Sequence, residues 1–206
     1  MTKQLINISL TEFMNYVNKS GSAKVTVVTN ALNNRENDYQ FYKDYWLKLR
    51  EKIKEVHKKK LSKDDLRELL DEVSPDKQAN YNSAIEGYCR FWGSKKITWV
   101  KTPRKKWAID NLRIELNPEL GLNFKGKTYF IKLFTKANDK LDKRHADLIL
   151  ALMEHELREK VNDENAVFAV LDIKRGKLFE YSNSDRNLYI LLESEAMSFK
   201  HTWENL

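Results

Sequence analysis

From Lys95 to Lys106 the chain carries six cations, Lys95, Lys96, Lys101, Arg104, Lys105 and Lys106, and no acid. Trp99 lies inside this run and Trp107 directly follows it. Lysine and arginine neutralise phosphates, and an indole face stacks on a base or supports an arginine. The block is therefore expected to bind nucleic acid, either DNA or RNA. The competing reading is an exposed hairpin with solvated lysines and two tryptophans turned into the core, where tryptophan usually sits. The whole chain leans the same way: 37 Lys and Arg against 30 Asp and Glu leave a formal net charge of +7 over 206 residues. Such a charge attracts polyanions, although on a blander view it only keeps a protein soluble.

Other reactive side chains are less promising. His145, Asp147, Glu154 and His155 share one helical stretch, but the two histidines are ten residues apart. On a helix that separates them by roughly 15 Å, too far to share a metal ion. They are expected to be surface polar residues. Cys89 is the only cysteine, so no intrachain disulfide and no cysteine-based zinc site can form. Flanked by Tyr88 and Phe91, it is expected to pack inertly. The phosphate-loop, dinucleotide, hydrolase-elbow and zinc-protease motifs are missing. No cofactor is expected.

The elements that would position these groups follow from periodicity. Ser9 with Glu12 forms a capping-box pattern for a short helix over 9–19. The β-branched run 24–29 suggests a strand. Over 36–58, Tyr39, Tyr42, Trp46, Leu49, Ile53 and Val56 form one apolar helix stripe, and Lys48, Lys52, Lys54 and Lys58 to Lys60 occupy the opposite face. Ser62 with Asp65 caps a third helix, which Ser74-Pro75 stops. A fourth runs from about Asp76 to Trp92, with Gly93 beyond its end. Periodicity then switches to two. Strand segments are expected around 97–109, 112–116 and 120–124, then a turn at Lys125-Gly126-Lys127 and a return strand over 128–135. A long helix follows over 140–160, then a buried strand over 166–173 and a turn at Arg175-Gly176 leading to 178–181. Leu188 to Leu192 is a strand or a helix start, with Ala196, Phe199 and Trp203 at helical spacing.

The expected class is α+β or α/β, with N-terminal helices packed on a mixed β-sheet flanked by helices. A soft boundary lies near Ser74-Pro75: residues 1–75 mainly helical, 76–206 a mixed α/β core, with one integrated domain as the open alternative. The opening MTKQLINISL has no apolar signal stretch, and no apolar run approaches the roughly 20 residues that span a bilayer. A cytoplasmic protein without a membrane partner is expected.

The order helix, three strands, helix, strand from Asp76 onward resembles the core of the PD-(D/E)XK nuclease superfamily over residues 76–181. That resemblance implies a carboxylate on the second strand, an acid-x-Lys pair on the third, and often a glutamate from the preceding helix. Together these would hold Mg²⁺ against a phosphate and orient or deprotonate the attacking water. On this sequence Asn117-Pro118-Glu119 stands at the second-strand position, Lys132 at the lysine, and Glu86 on the preceding helix. Phe130 takes the place of the central acid. The stretches NPELGLNFKGKTYFIKLF and LDKRHADLILALMEHEL are also similar to a bacterial family of comparable length with no assigned activity.

Three functions follow as expectations. The first is a nucleic-acid-associated protein with a nuclease-like core that lacks the full catalytic set. The second is a Mg²⁺-dependent nuclease using Glu119, Lys132 and Glu86, with Glu115 recruited through a bulge at Pro118; magnesium is needed only here. The third is a protein-interaction module, an accessory or inhibitor, using the tyrosine-rich stripe of 36–58.

Overall fold

The computed structural model describes residues 4–36, 44–135, 141–182 and 187–206. Strand β1 (Ile6–Ser9) runs directly into α1 (Leu10–Val17). Ser9 and Glu12 close the capping box: Ser9 Oγ accepts from the Glu12 N–H at 3.1 Å, and Glu12 accepts from the Ser9 N–H at 2.8 Å. The strand itself was not expected, although Ile6 and Ile8 alternate with Asn7 and Ser9 and are buried.

The run 24–29 is not a strand but part of α2 (Ser22–Glu36). Val28 and Ala31 sit at helical spacing and are buried, and α2 packs on α1 and on the C-terminal helix. Thr29 Oγ1 donates to the Val25 carbonyl one turn back at 3.1 Å. Tertiary packing thus overrides the strand preference of β-branched residues.

The expected helix over 36–58 is shorter, spanning α3 (Leu47–Lys59). Tyr39 and Tyr42 of its stripe lie outside the described residues. The rest of the stripe faces inward: Leu49, Ile53 and Val56 are fully buried, and Trp46 stacks on Tyr81 at 5.3 Å. This part of the stripe is core rather than docking surface. Then come α4 (Lys63–Arg67), capped by Ser62 with Asp65, a 3₁₀ turn over Glu68–Glu72, and α5 (Pro75–Trp92), whose first residue is Pro75.

The strands are β2 (Thr98–Trp99), β3 (Lys105–Ile109), β4 (Leu112–Leu116), β5 (Leu120–Phe124) and β6 (Lys127–Phe134). After α6 (Lys143–Leu157) come β7 (Val167–Asp172), β8 (Lys177–Glu180) and α7 (Asn187–Glu204). The segment 188–192 therefore begins a helix. The class is α+β. There are two sheets rather than one: a three-stranded sheet ordered β1-β4-β3 and a five-stranded sheet ordered β2-β5-β6-β7-β8. The β3–β4 hairpin leaves the larger sheet and pairs in parallel with β1. β6 pairs antiparallel with β5 and parallel with β7. Lys125 and Gly126 turn the β5–β6 hairpin, both with positive φ.

Two apolar clusters flank β6. One gathers β1, α1, Trp107, β4, α6 and α7 around Phe130 and Phe168. The other gathers α3, α4 and α5 around Ile131, Leu133 and Ala169. Each draws residues from both sides of Ser74, so the expected boundary does not separate two cores. No described helix is long and apolar enough to cross a membrane.

His57 sits in the second cluster, 4% exposed, with Nε2 2.6 Å from the Tyr88 hydroxyl. Burial lowers its pKa from 6.5 to about 4. The folded state therefore holds the ring neutral while the unfolded chain takes up a proton near 6.5. The stabilisation is fully present above that pH and is lost as pH falls toward 4, amounting to roughly 3 kcal/mol. Urea titrations between pH 7 and pH 4 should show a loss of that size from this residue. The His57→Phe variant should show a correspondingly flatter profile, and an equally steep one would reject His57 as the source.

Candidate functional site

The register that pairs Leu120 with Ile131 carries on to set Glu119 opposite Lys132. Lys132 donates to the Glu119 carboxylate, which also accepts the Leu133 N–H at 2.8 Å. Both side chains are nearly enclosed, at 14% and 13% exposure. Beside them Arg50, from α3, donates to Asp44 at 3.1 Å and through a second contact from its other nitrogen. Burial works against the charge on Asp44, but the Arg50 hydrogen bond and charge, helped by the Trp46 N–H and by Lys132, hold its pKa below the ordinary value. Glu119 likewise adds to the field that keeps Arg50 charged. Four charges of alternating sign thus compensate one another.

They form the floor of an open cleft of about 1850 Å³. One lip is α3, where Lys54 pairs with Glu51 at 2.6 Å and the Lys58 ammonium lies 5.2 Å from the Trp99 ring centroid. The facing lip is the strap Val100–Arg104, which joins β2 to β3. It rests directly on β5: the Val100 N–H donates to the Gly121 carbonyl at 2.8 Å. A Cβ at residue 121 would stand 2.2 Å from the Val100 oxygen. The strap brings Lys101 and Arg104 to the cleft, both exposed and without a carboxylate partner among the described residues. Glu12, Arg35, Glu115 and Asp163 line its other edges.

The expected site residues fall into separate places. Glu119 and Lys132 meet. Glu86 does not join them: on α5 it faces Arg67, with contacts of 2.8 and 3.3 Å, and that arginine lowers its pKa. Phe130 is 5% exposed at the margin of the cleft, at the position where the resemblance implies an acid. Among the described residues, no group of three His, Cys, Asp or Glu side chains gathers to hold a metal ion.

The six-cation block does not form one patch. Lys95 donates to the Phe91 carbonyl at the end of α5, and Lys96 is exposed beside it in sequence. Lys101 and Arg104 face the cleft. Lys105 is neutralised by Glu156 at 2.9 Å and Glu159 at 2.8 Å, and Lys106 lies 3.5 Å from Glu115. Trp107 is buried against Phe13 and Tyr189, so it offers no stacking face. Trp99 is half-buried under Lys58. His145 pairs with Asp142 and His155 with Glu156, each apart from the cleft.

Asp44, Arg50 and Lys58 are the additions. The lysine face of α3 was visible in the sequence. The Asp44–Arg50 pair carried no signal, because it spans the start of a helix whose beginning the sequence placed earlier.

Replacing Gly121 with Ala should force the strap off β5. The expected cost is about 1–3 kcal/mol in urea unfolding, the range for overpacking a filled contact. Wild-type stability in that variant would show that the strap is not seated as described. Compared with known proteins, the chain matches no family model, no curated protein and no solved structure, so the cleft is interpreted from its own residues.

Proposed function

We propose that the protein binds a nucleic-acid strand in this cleft and does not cut it. One observation carries the reading: the lips present Lys58, Lys101 and Arg104 without carboxylate partners over a floor whose charges are already compensated. A phosphate backbone meets those cations and releases its counterions, while the neutralised floor offers little repulsion. Lys105 and Lys106, engaged by glutamates, contribute little to that field.

The nuclease-like character of the core is part of the same reading. Pro118-Glu119 immediately before β5, Lys132 on β6, and flanking helices α5 and α6 are the features that support it. Its lack of catalysis is supported by Phe130 at the acidic position, by Glu119 being occupied by Lys132 and the Leu133 N–H, and by Glu86 being held elsewhere by Arg67. Magnesium has no role in this reading. It belongs to the alternative of an active nuclease, which Glu119 and Lys132 standing together in the cleft keep in view.

Fluorescence anisotropy with single-stranded DNA and RNA tests both. Lys101→Glu with Arg104→Glu should weaken binding about tenfold or more across sequences. It should also lower the slope of log affinity against log salt by about 1.4, two contacts at roughly 0.7 each. Unchanged affinity would overturn the cleft assignment. Wild-type protein incubated with Mg²⁺ or Mn²⁺ should leave plasmid and RNA intact. Cleavage that disappears in Glu119→Ala would instead establish the nuclease.

A further inference from the structure

Outside the cleft, the strongest unexplained feature is a group of lysines at the far end of β2. This strand forms the edge of the five-stranded sheet, pairing Thr98 with Asn123 and Trp99 with Leu122. Lys96 lies two residues before β2, and Lys125 lies in the β5–β6 turn one residue beyond the partner strand β5. Lys63 donates to the Gly93 carbonyl at 2.7 Å, and Lys95 to the Phe91 carbonyl, so both gather at the C-terminal end of α5. The Lys95 ammonium lies 4.7 Å from the Phe91 ring centroid and 5.9 Å from that of Phe124, the last residue of β5. Burial lowers the Lys95 pKa, and the Lys125 and Lys63 charges press in the same direction.

Two of these cations have a structural use, because positive charge at a helix C-terminus complements its dipole. Lys96 and Lys125 do not share it. Both are exposed, and neither has an ion-pair or hydrogen-bond partner among the described residues. The two acids that follow Lys63 on α4 are engaged, Asp64 by Arg67 at 2.8 Å and Asp65 by Ser62 at 2.8 Å. Like charges held together without a counter-charge favour an anion.

The position of the group indicates which anion. Lys96 lies two residues before β2 and Lys101 two residues after it, so the chain between them reaches at most roughly 17 Å. Lys58 over Trp99 lies midway, and Lys101 opens into the cleft. Cations on both sides of β2 with an indole between them suit a single strand, whose phosphates meet the charges while its bases meet the ring.

We propose that Lys96 and Lys125, with Lys63 and Lys95 behind them, form a second phosphate-binding patch. A single nucleic-acid strand seated in the cleft leaves it past Lys58 and Trp99 and runs along the β2 edge to this patch. The proposal rests on the cleft reading above and extends the footprint beyond it.

Strand length separates the two. Lys96→Gln with Lys125→Asn removes both exposed charges, and asparagine tolerates the positive φ at residue 125. Binding of single strands of about 5 and about 20 nucleotides, as DNA and as RNA, is followed by anisotropy at several salt concentrations. The double variant should bind the long strand about tenfold more weakly, with a salt slope lower by about 1.4, and the short strand as well as wild type does. An unchanged long-strand slope overturns the patch, and so does an equal loss on both lengths. Failure of unmodified protein to bind either strand overturns the cleft reading itself, and is recognised because no substitution is involved.

Discussion

Lys132 stands on the face of β6 that otherwise presents Phe130 and Phe134 to an apolar cluster. The opposite face carries Tyr129, Ile131 and Leu133 into the second cluster. An ammonium placed in such a strand needs a counter-charge from within the fold, because an unpaired charge in an enclosed position costs several kcal/mol. The β5–β6 register supplies Glu119 directly opposite. That pairing fixes where polar chemistry can exist in this sheet. The end of β6 that carries Lys132 opens into the cleft, and Asp44 with Arg50 completes a floor of alternating charge around it.

The architecture around the floor follows from the division into two sheets. Because β3 and β4 pair with β1 instead of continuing the larger sheet, the chain must cross from one to the other through Val100–Arg104. Gly121 lets that crossing lie flat on β5. At its far end Lys105 is tied to Glu156 and Glu159 of the α6 region, where Glu156 also accepts the Tyr189 hydroxyl at 2.7 Å. The strap is thus anchored at both ends, and its two remaining cations are held toward the cleft.

Net charge alone would have misjudged this molecule. Lysines near glutamates become part of the scaffold, as Lys105 and Lys106 do, and those near helix carbonyls become caps, as Lys63 and Lys95 do. Lys58, Lys101 and Arg104 remain exposed at the cleft with no carboxylate partner among the described residues.

Much of the secondary structure was legible in the sequence. The capping residues Ser9 and Ser62, the break at Ser74-Pro75, Gly93 and the Lys125-Gly126 turn act within a few residues of themselves, so local chemistry determined those boundaries. The pairing of Glu119 with Lys132 was within reach too, because hairpin register follows from the turn. The sequence did not determine that 24–29 is helical, that Ile6–Ser9 is a strand, that two sheets form, or that Glu86 turns away to Arg67. Each of these depends on which distant segment supplies the covering surface or the counter-charge. Only the folded chain, where residues far apart in sequence compete for the same neighbours, decides that.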